Sequence, residues 1–387
     1  MPELRSLSIA HVMESVAVNE SRLEKQIRTA EAWNHDANVL VLARQRADLP
    51  IESACASRSQ LRRLPLRTSR LPRGKIFALA KIAEAQTRFT IVLDRARPSL
   101  IHCHGLTPLP ACVAAAARLG VPLLYDCHEL ETERNGLVGI NRVFDRWIER
   151  TLIRRCDAVV VVSESIADWY AGMYGIARPA VVRNIPDVRV QGAGGDRRIF
   201  RERFGIPDEA LVFVTQGALF AGRRIEELLR VFERAAPGRH LVVMGYGPLE
   251  ALVRATAARV PHIHFQPAVP PGEVLRYTQG ADVGIHGGEN VCLSYYYSLP
   301  NKVFEYVLAG VPVLGNDWPE IRRLVGGEGC GWVVAEGAWQ AAVDGLTWEA
   351  VAAARARTVA AAARYSWAQE EAVLLETYRR VLKGSSM

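Results

Sequence analysis

Ser298-Leu-Pro-Asn-Lys-Val-Phe-Glu-Tyr-Val-Leu-Ala-Gly-Val-Pro-Val-Leu314 joins a short helix to an apolar strand and sets a cation and a carboxylate on one helix face. Ser298 is a candidate N-cap, Pro300 suits a first turn, and Gly310 ends the helix before the run from Val311 to Leu314. Lys302 and Glu305 stand three residues apart, about one turn along the helix. A lysine at a helix start adds to main-chain donors that already favour a phosphate, and a carboxylate one turn on can accept two hydroxyl hydrogen bonds from a ribose. Together they read as a site for a nucleoside diphosphate. A capped helix carrying a solvated ion pair is the plain alternative.

Outward from this stretch, short β-branched runs alternate with helical segments. In the first half the strands are expected at Leu7 to Met13, Val39 to Ala43, Leu100 to Cys103, Pro122 to Asp126, Ala158 to Val162 and Ala180 to Arg183. Helices are expected at Glu20 to Trp33, Leu109 to Leu119 and Val143 to Arg155. The turn-rich Gln191-Gly-Ala-Gly-Gly-Asp196 reads as a linker, after which the pattern restarts. Strands then fall at Leu211 to Gln216, His240 to Gly245, His262 to Gln266, Asp282 to His286, Pro312 to Gly315 and Gly331 to Val334. Such alternation implies parallel sheets covered on both faces, hence an α/β chain of two tandem Rossmann-like domains. Residues 1–186 make the first domain and 197–366 the second. A last helix from Trp367 to Leu382 presents Ala368, Ala372, Leu375, Tyr378 and Leu382 at helical spacing.

Composition narrows the partners. At 387 residues the chain exceeds what one core usually serves, and 49% hydrophobic residues can fill two domains. Apolar runs such as Ala158 to Val162 fall far short of the roughly 20 residues of a membrane span, and no signal-peptide pattern is present, so a cytoplasmic protein is expected. Seven cysteines without a Cys-x-x-Cys pair fit a reducing compartment. His102, Cys103, His104, Cys127 and His128 lie near strand ends without zinc-ligand spacing, so neither metal nor cofactor is expected. The net charge is +7, and Arg58 to Arg88 is strongly basic, interleaved with leucines, without an acid before Glu84. A solvated loop and helix competes there with a membrane-surface or anionic-acceptor patch. Nucleic acid is disfavoured because aromatic interleaving is nearly absent.

In open parallel sheets ligands bind beyond the carboxyl ends of strands. Gly217 to Arg224 follows such an end, where glycines admit a ligand to the backbone and Arg223 or Arg224 could clasp a diphosphate; a turn with two solvated arginines is the alternative. Gly287 and Gly288 offer a main-chain cradle or an ordinary turn. Tyr125-Asp-Cys-His-Glu-Leu130 puts His128 and Glu129 just past another strand, with His104 as a supporting residue. Between the first strand and helix, Asn19 and Arg22 are candidate contacts, with Asn19 or Ser21 equally readable as a helix cap.

The opening stretch resembles the donor-binding signature of family 4 glycosyltransferases, which have the GT-B fold and transfer sugars from nucleotide-sugars with retention. The resemblance implies an interdomain cleft and a final helix, here about 367–384, crossing back to the first domain. It implies that Glu305 contacts the donor ribose, that Arg223 and Lys302 hold its phosphates with Asn301 beside them, and that His128 faces the reacting sugar. Metal is not required in that family. The chain departs from the pattern at Ala218, where a second basic residue is usual, at Tyr297, where many members have a glutamate, and in the first loop, which lacks paired glycines but has Glu20-Ser-Arg22. The implied activity is transfer to a hydroxyl acceptor bound in the first domain; the acid-free basic stretch from Arg58 to Lys81 in that domain leads to the expectation of a lipid-linked or anionic acceptor and peripheral contact at the inner membrane face. A GT-B epimerase using Glu129, Glu131 or Glu289 and a non-catalytic nucleotide-binding subunit stay open as alternatives.

Overall fold

The structure, a computed structural model, describes residues 7–18, 20–33, 37–55, 58–72, 74–188 and 196–384. Asn19 and nearly all of the expected linker, 191–195, lie outside the described residues. The chain divides into two compact units, one of Met1–Arg183 with Glu370–Met387 and one of Asn184–Gln369.

The first unit runs β1 (Ser8–Met13), α1 (Ser21–Trp33), β2 (Asn38–Arg44), β3 (Glu52–Ala54), β4 (Ser59–Leu64), α2 (Lys75–Ala96), β5 (Leu100–His104), α3 (Leu109–Leu119), β6 (Leu123–Cys127), α4 (Gly139–Leu152), β7 (Ala158–Val161), α5 (Glu164–Tyr174) and β8 (Ala180–Val181). Its sheet has the order β3-β4-β2-β1-β5-β6-β7-β8, parallel except at β3. β5 and β6 are buried along their whole length, as strands covered on both faces must be. The chain leaves β1 toward β2 on one side and returns to β5 on the other. The carboxyl ends of β1 and β5 therefore flank a topological switch point.

In the second unit the elements are α6 (Ile199–Phe204), β9 (Leu211–Ala218), α7 (Ile225–Glu233), β10 (Arg239–Tyr246), α8 (Glu250–Arg259), β11 (Ile263–Pro267), α9 (Val274–Thr278), β12 (Val283–His286), α10 (Leu293–Tyr296), α11 (Asn301–Leu308), β13 (Val313–Asn316), α12 (Pro319–Ile321), β14 (Gly331–Val334), α13 (Trp339–Asp344) and α14 (Trp348–Ala362). The sheet order β11-β10-β9-β12-β13-β14 is wholly parallel, with its switch point between β9 and β12. Two apolar clusters fill its faces, one around Phe304, Tyr306 and Trp318 and the other around Phe213, Phe232 and Trp339. Among the described residues no helix is long and apolar enough to cross a membrane.

Four expectations are corrected. The basic stretch opens with a strand: β4 pairs with β2, and Arg63 turns inward, its guanidinium donating to the carbonyls of Val16 and Pro50. Ser298 does not cap α11; its hydroxyl donates to the Tyr295 carbonyl, and Pro300 stands at the N-cap, which leaves the first-turn N–H groups of α11 without a side-chain cap. The final helix α15 (Trp367–Gly384) is rotated from the expected stripe. Its buried face is Trp367, Glu370, Leu374, Thr377, Tyr378 and Val381, while Ala368 and Ala372 are exposed, because polar Glu370 and Thr377 turn inward. Gly217 lies within the end of β9 rather than beyond it, since the pairing with β10 continues to Ala218.

Candidate functional site

In the first unit the strand register assembles a polar cluster from distant positions. Histidines 102 and 104 are two apart on β5 and so share a face; His11 on β1 lies across from His102, and Asp126 on β6 across from His104. Arg22, from the first turn of α1, grips Asp126 with two hydrogen bonds of 3.0 and 2.7 Å and donates a third, 2.6 Å, to the Val182 carbonyl. Gln26, one turn on, donates to Asp126 Oδ2 at 2.7 Å. Burial alone would raise the Asp126 carboxyl, but Arg22, then His128 and His102, hold it well below the usual range. Arg22 is thus committed to Asp126 and is buried.

A chain of rings runs from this carboxylate. His128, just past β6 and partly exposed, meets His104 Nδ1 through its Nε2 at 3.0 Å, and His104 Nε2 meets His11 Nδ1 at 2.9 Å. Burial, and then neighbouring rings, depress the pKa values of His11 and His104 well below the ordinary value. Neutral rings carry one proton each, so the chain has two proton arrangements of opposite polarity. In one, His104 Nδ1 donates to His128 Nε2; in the other it accepts from it. His102, also depressed by burial though Asp126 opposes this, meets the Tyr378 hydroxyl of α15 at 2.8 Å and places Nε2 3.4 Å from Asp126.

Two triads, His11 with His102 and His104, and His104 with Asp126 and His128, bring possible metal-ligand atoms within 4.8 Å of one another. The rings of His102 and His104 are stacked 4.3 Å apart at 15°, and His11 and His104 are hydrogen-bonded to each other. A ring nitrogen offers its lone pair in the ring plane, so the stacked rings of the first triad do not converge on one ion, and in the second His104 Nδ1 and His128 Nε2 are hydrogen-bonded to each other. The geometry is that of a hydrogen-bonded network. Glu129 is half-buried beside it, and burial raises the nearby Glu131 to about 7.

The second unit places its candidate residues around the β9/β12 switch point. Lys302 sits in the first turn of α11, half-buried; burial, then the neighbouring Arg223, lower its pKa to about 7, against an opposing pull from Glu305. Arg223 lies over the Tyr295 ring at 5.1 Å. Glu305 accepts from Gln216 Nε2 at 2.6 Å, and Gln216 in turn accepts from the Thr278 hydroxyl. Asn301 opens the helix, half-buried. Arg224 is otherwise engaged: it is buried in a left-handed conformation, clasps the Gly288 carbonyl at 3.1 and 2.9 Å, and pairs with Glu336 and Glu227. Its role is to hold the Gly287–Gly288 loop.

Asn316 fixes that loop from the other side, accepting from Gly288 N at 2.6 Å and donating to its carbonyl at 2.9 Å. A Cβ on Gly288 would stand 2.4 Å from the Trp318 ring, so only glycine lets the chain pass there. His286, at the end of β12, is buried with neither ring nitrogen partnered, and burial, then Lys302 and Arg223, depress its pKa. Sequence reasoning overlooked Gln26, His11, Gln216, His286 and Asn316. His102 and His104 at period two on a strand were the local signal for the histidine face, whereas the others become visible only through the register.

Comparison with known proteins places this geometry. Residues 27–189 match the family Glycosyltransferase Family 4, and residues 196–351 match Glycosyl transferases group 1. A D-inositol 3-phosphate glycosyltransferase of Segniliparus rotundus is 26% identical over 312 residues, 75% of this chain and 68% of the relative. Sucrose-phosphate synthase from Thermosynechococcus elongatus superposes with a TM-score of 0.74 at 14% identity, over 98% of this chain and 100% of that one. HepE of Anabaena in complex with UDP-glucose superposes with a TM-score of 0.69 at 14% identity, over 96% and 99%. The two family matches, which together run from residue 27 to residue 351, and the paired parallel sheets make this chain a family 4 glycosyltransferase with the GT-B fold.

Proposed function

We propose that the enzyme transfers a sugar, with retention of configuration, from a nucleoside-diphosphate-sugar to a hydroxyl acceptor in glycolipid or polysaccharide synthesis. The observation that carries the reading is the trio at the β9/β12 switch point: Arg223 and Lys302 as adjacent cations, and Glu305 oriented by Gln216 one turn from Lys302. Burial and the neighbouring Arg223 disfavour the Lys302 ammonium more than Glu305 favours it, and a diphosphate supplies the missing negative charge. Glu305 takes the ribose hydroxyls. The unpartnered ring of His286 faces the same charges and is a further group for a phosphate oxygen. A UDP-glucose complex of HepE supports a donor of this chemical class.

Neutralising the departing diphosphate is the main catalytic term in this reading, because preorganised cations act without reorganisation as charge develops. The first unit binds the acceptor, and His128 hydrogen-bonds the reacting sugar, held by His104 and oriented through Asp126. A groove of about 690 Å³ in that unit, lined by Arg62, Arg67, Arg95 and the Arg88–Glu84 pair beside Ile51 and Ile91, is basic on balance and suits an anionic or lipid-linked acceptor. Incubation with a panel of nucleotide-sugars, scored for transferred sugar, free nucleotide and epimerised sugar, tests the reading. Transfer is expected, and epimerisation alone overturns it. His128→Ala is expected to lower kcat more than donor affinity, since contacts made mainly in the transition state appear in kcat. An equal loss in both contradicts the role.

A further inference from the structure

Helix α4 is built inside out. Its spacing puts Ile140, Val143, Phe144 and Trp147 on one face at intervals of three and four, and that face points to solvent: they are 78%, 66%, 52% and 62% exposed, continued by Val138 at 71%. The residue buried among its own positions is a carboxylate. Glu149 accepts hydrogen bonds from the hydroxyls of Tyr125, Tyr170 and Tyr174, which anchors the helix from its polar side. An apolar patch of this density on a helix surface marks an interaction site.

Charge identifies the occupant. From Arg142 to Arg155 the helix and its following turn carry Arg142, Arg146, Arg150, Arg154 and Arg155. The opposing acids are Asp145 and two buried ones, Glu149 and Glu133, the latter held by Arg142 and Arg146. Arg150 and Arg155 stay exposed at the end of the helix. A second copy docking through a two-fold axis would set this basic patch against itself. An anionic lipid surface complements both halves, taking the apolar side chains among acyl chains and the guanidiniums among headgroups. α3 packs against both α2 and α4, and α2 exposes Leu79, Ile82 and Ile91, so apolar side chains recur along that row of helices.

We propose that α4 docks the protein in the plane of an anionic membrane, with Ile140, Val143, Phe144 and Trp147 as the inserted side chains. This deepens the reading of a membrane-borne acceptor, and its test involves no sugar transfer, so the two can fail separately. The experiment is flotation of the full chain with vesicles of phosphatidylglycerol and phosphatidylcholine, beside vesicles of phosphatidylcholine alone. Wild-type protein is expected on the anionic vesicles, with binding weakened at high salt. The variant Ile140→Ser, Phe144→Ser, Trp147→Ser should lose about 100-fold or more in partitioning, because each buried side chain of this size is worth roughly tenfold or more. Arg150→Gln with Arg155→Gln should lose about 30-fold and show a weaker salt dependence than wild type. All these positions are exposed, and unchanged nucleotide-sugar binding and melting confirm intact folding. Wild-type protein that ignores anionic vesicles overturns the proposal, as does a serine variant that binds them as wild type does. Wild-type dimers by light scattering that become monomers in the serine variant, without vesicle binding, assign the face to a second copy instead.

Discussion

Lys302 makes donor binding depend on pH in a calculable way. In the free protein its pKa is lowered from 10.5 to about 7, because burial and then Arg223 disfavour the ammonium. A bound diphosphate reverses that balance, so the complex holds the proton well above pH 7. Affinity should therefore fall as pH rises, by the factor 1 + 10^(pH − 7). Between pH 6.5 and 8.5 this amounts to about 25-fold weaker binding. A nucleoside-diphosphate-sugar is the right probe, since its diphosphate diester has no titration of its own in that window. Calorimetry at pH 8 in two buffers of different ionisation enthalpy should show uptake of about 0.9 proton per donor bound. Lys302→Met should bind more weakly, with less proton uptake and a shallower slope. The same pKa has a sign for stability. The unfolded chain, with lysine near its ordinary value, holds more protons than the folded one between pH 7 and 10.5, so this group makes the free protein more stable as pH rises through that window. Wild-type affinity that is flat from pH 6.5 to 8.5, without proton uptake, would refute the reasoning.

Other outcomes follow from the geometry. Asp126→Asn leaves the buried Arg22 guanidinium without its charge partner and should cost about 3–5 kcal/mol in urea unfolding at neutral pH; because the native Asp126 pKa is depressed, the difference from wild type should persist above pH 4 and shrink only in stronger acid. Tyr378→Phe removes the partner of His102 Nδ1 and should destabilise by about 1–3 kcal/mol while leaving donor affinity unchanged. Gly288→Ala forces the loop off the Trp318 ring at a cost of about 1–3 kcal/mol, read in unfolding, and should also weaken donor binding. A Gly288→Ala protein as stable as wild type would show that the loop accommodates a side chain.

What could be read from the sequence, and what could not, divides along physical lines. Strands such as β7 and β13 announce themselves because burial on both faces favours apolar runs, and Lys302 and Glu305 are readable as a pair because helical spacing is local. β4 escaped because Ser-Gln-Leu-Arg-Arg-Leu reads as a basic loop. Its inward Arg63 is tolerated because the carbonyls of Val16 and Pro50 and the Ser53 hydroxyl meet the guanidinium, partners 47, 13 and 10 residues away that no local pattern pairs with it. Arg224 looked available beside Arg223, yet its partners Glu336 and Gly288 lie 112 and 64 residues away along the chain. The His11, His102, Asp126 and Arg22 constellation depends on the register of three strands and the first turn of a helix, which no local pattern encodes. Rotation of α15 has the same origin: Glu370 is inward because Arg183 meets it there.

The most direct test of the central claim is thermal shift with uridine, guanosine and adenosine diphosphate sugars on wild type, Lys302→Met and Glu305→Ala. Binding to the native state raises the melting temperature by mass action. At least one of these sugars should stabilise wild type, with the gain reduced in Lys302→Met and, by the loss of hydrogen bonds worth about 1.5–3 kcal/mol each, in Glu305→Ala. If none of them shifts the wild-type transition at millimolar concentration, or if all three proteins shift alike, the β9/β12 switch point does not hold a nucleotide-sugar and the account is wrong.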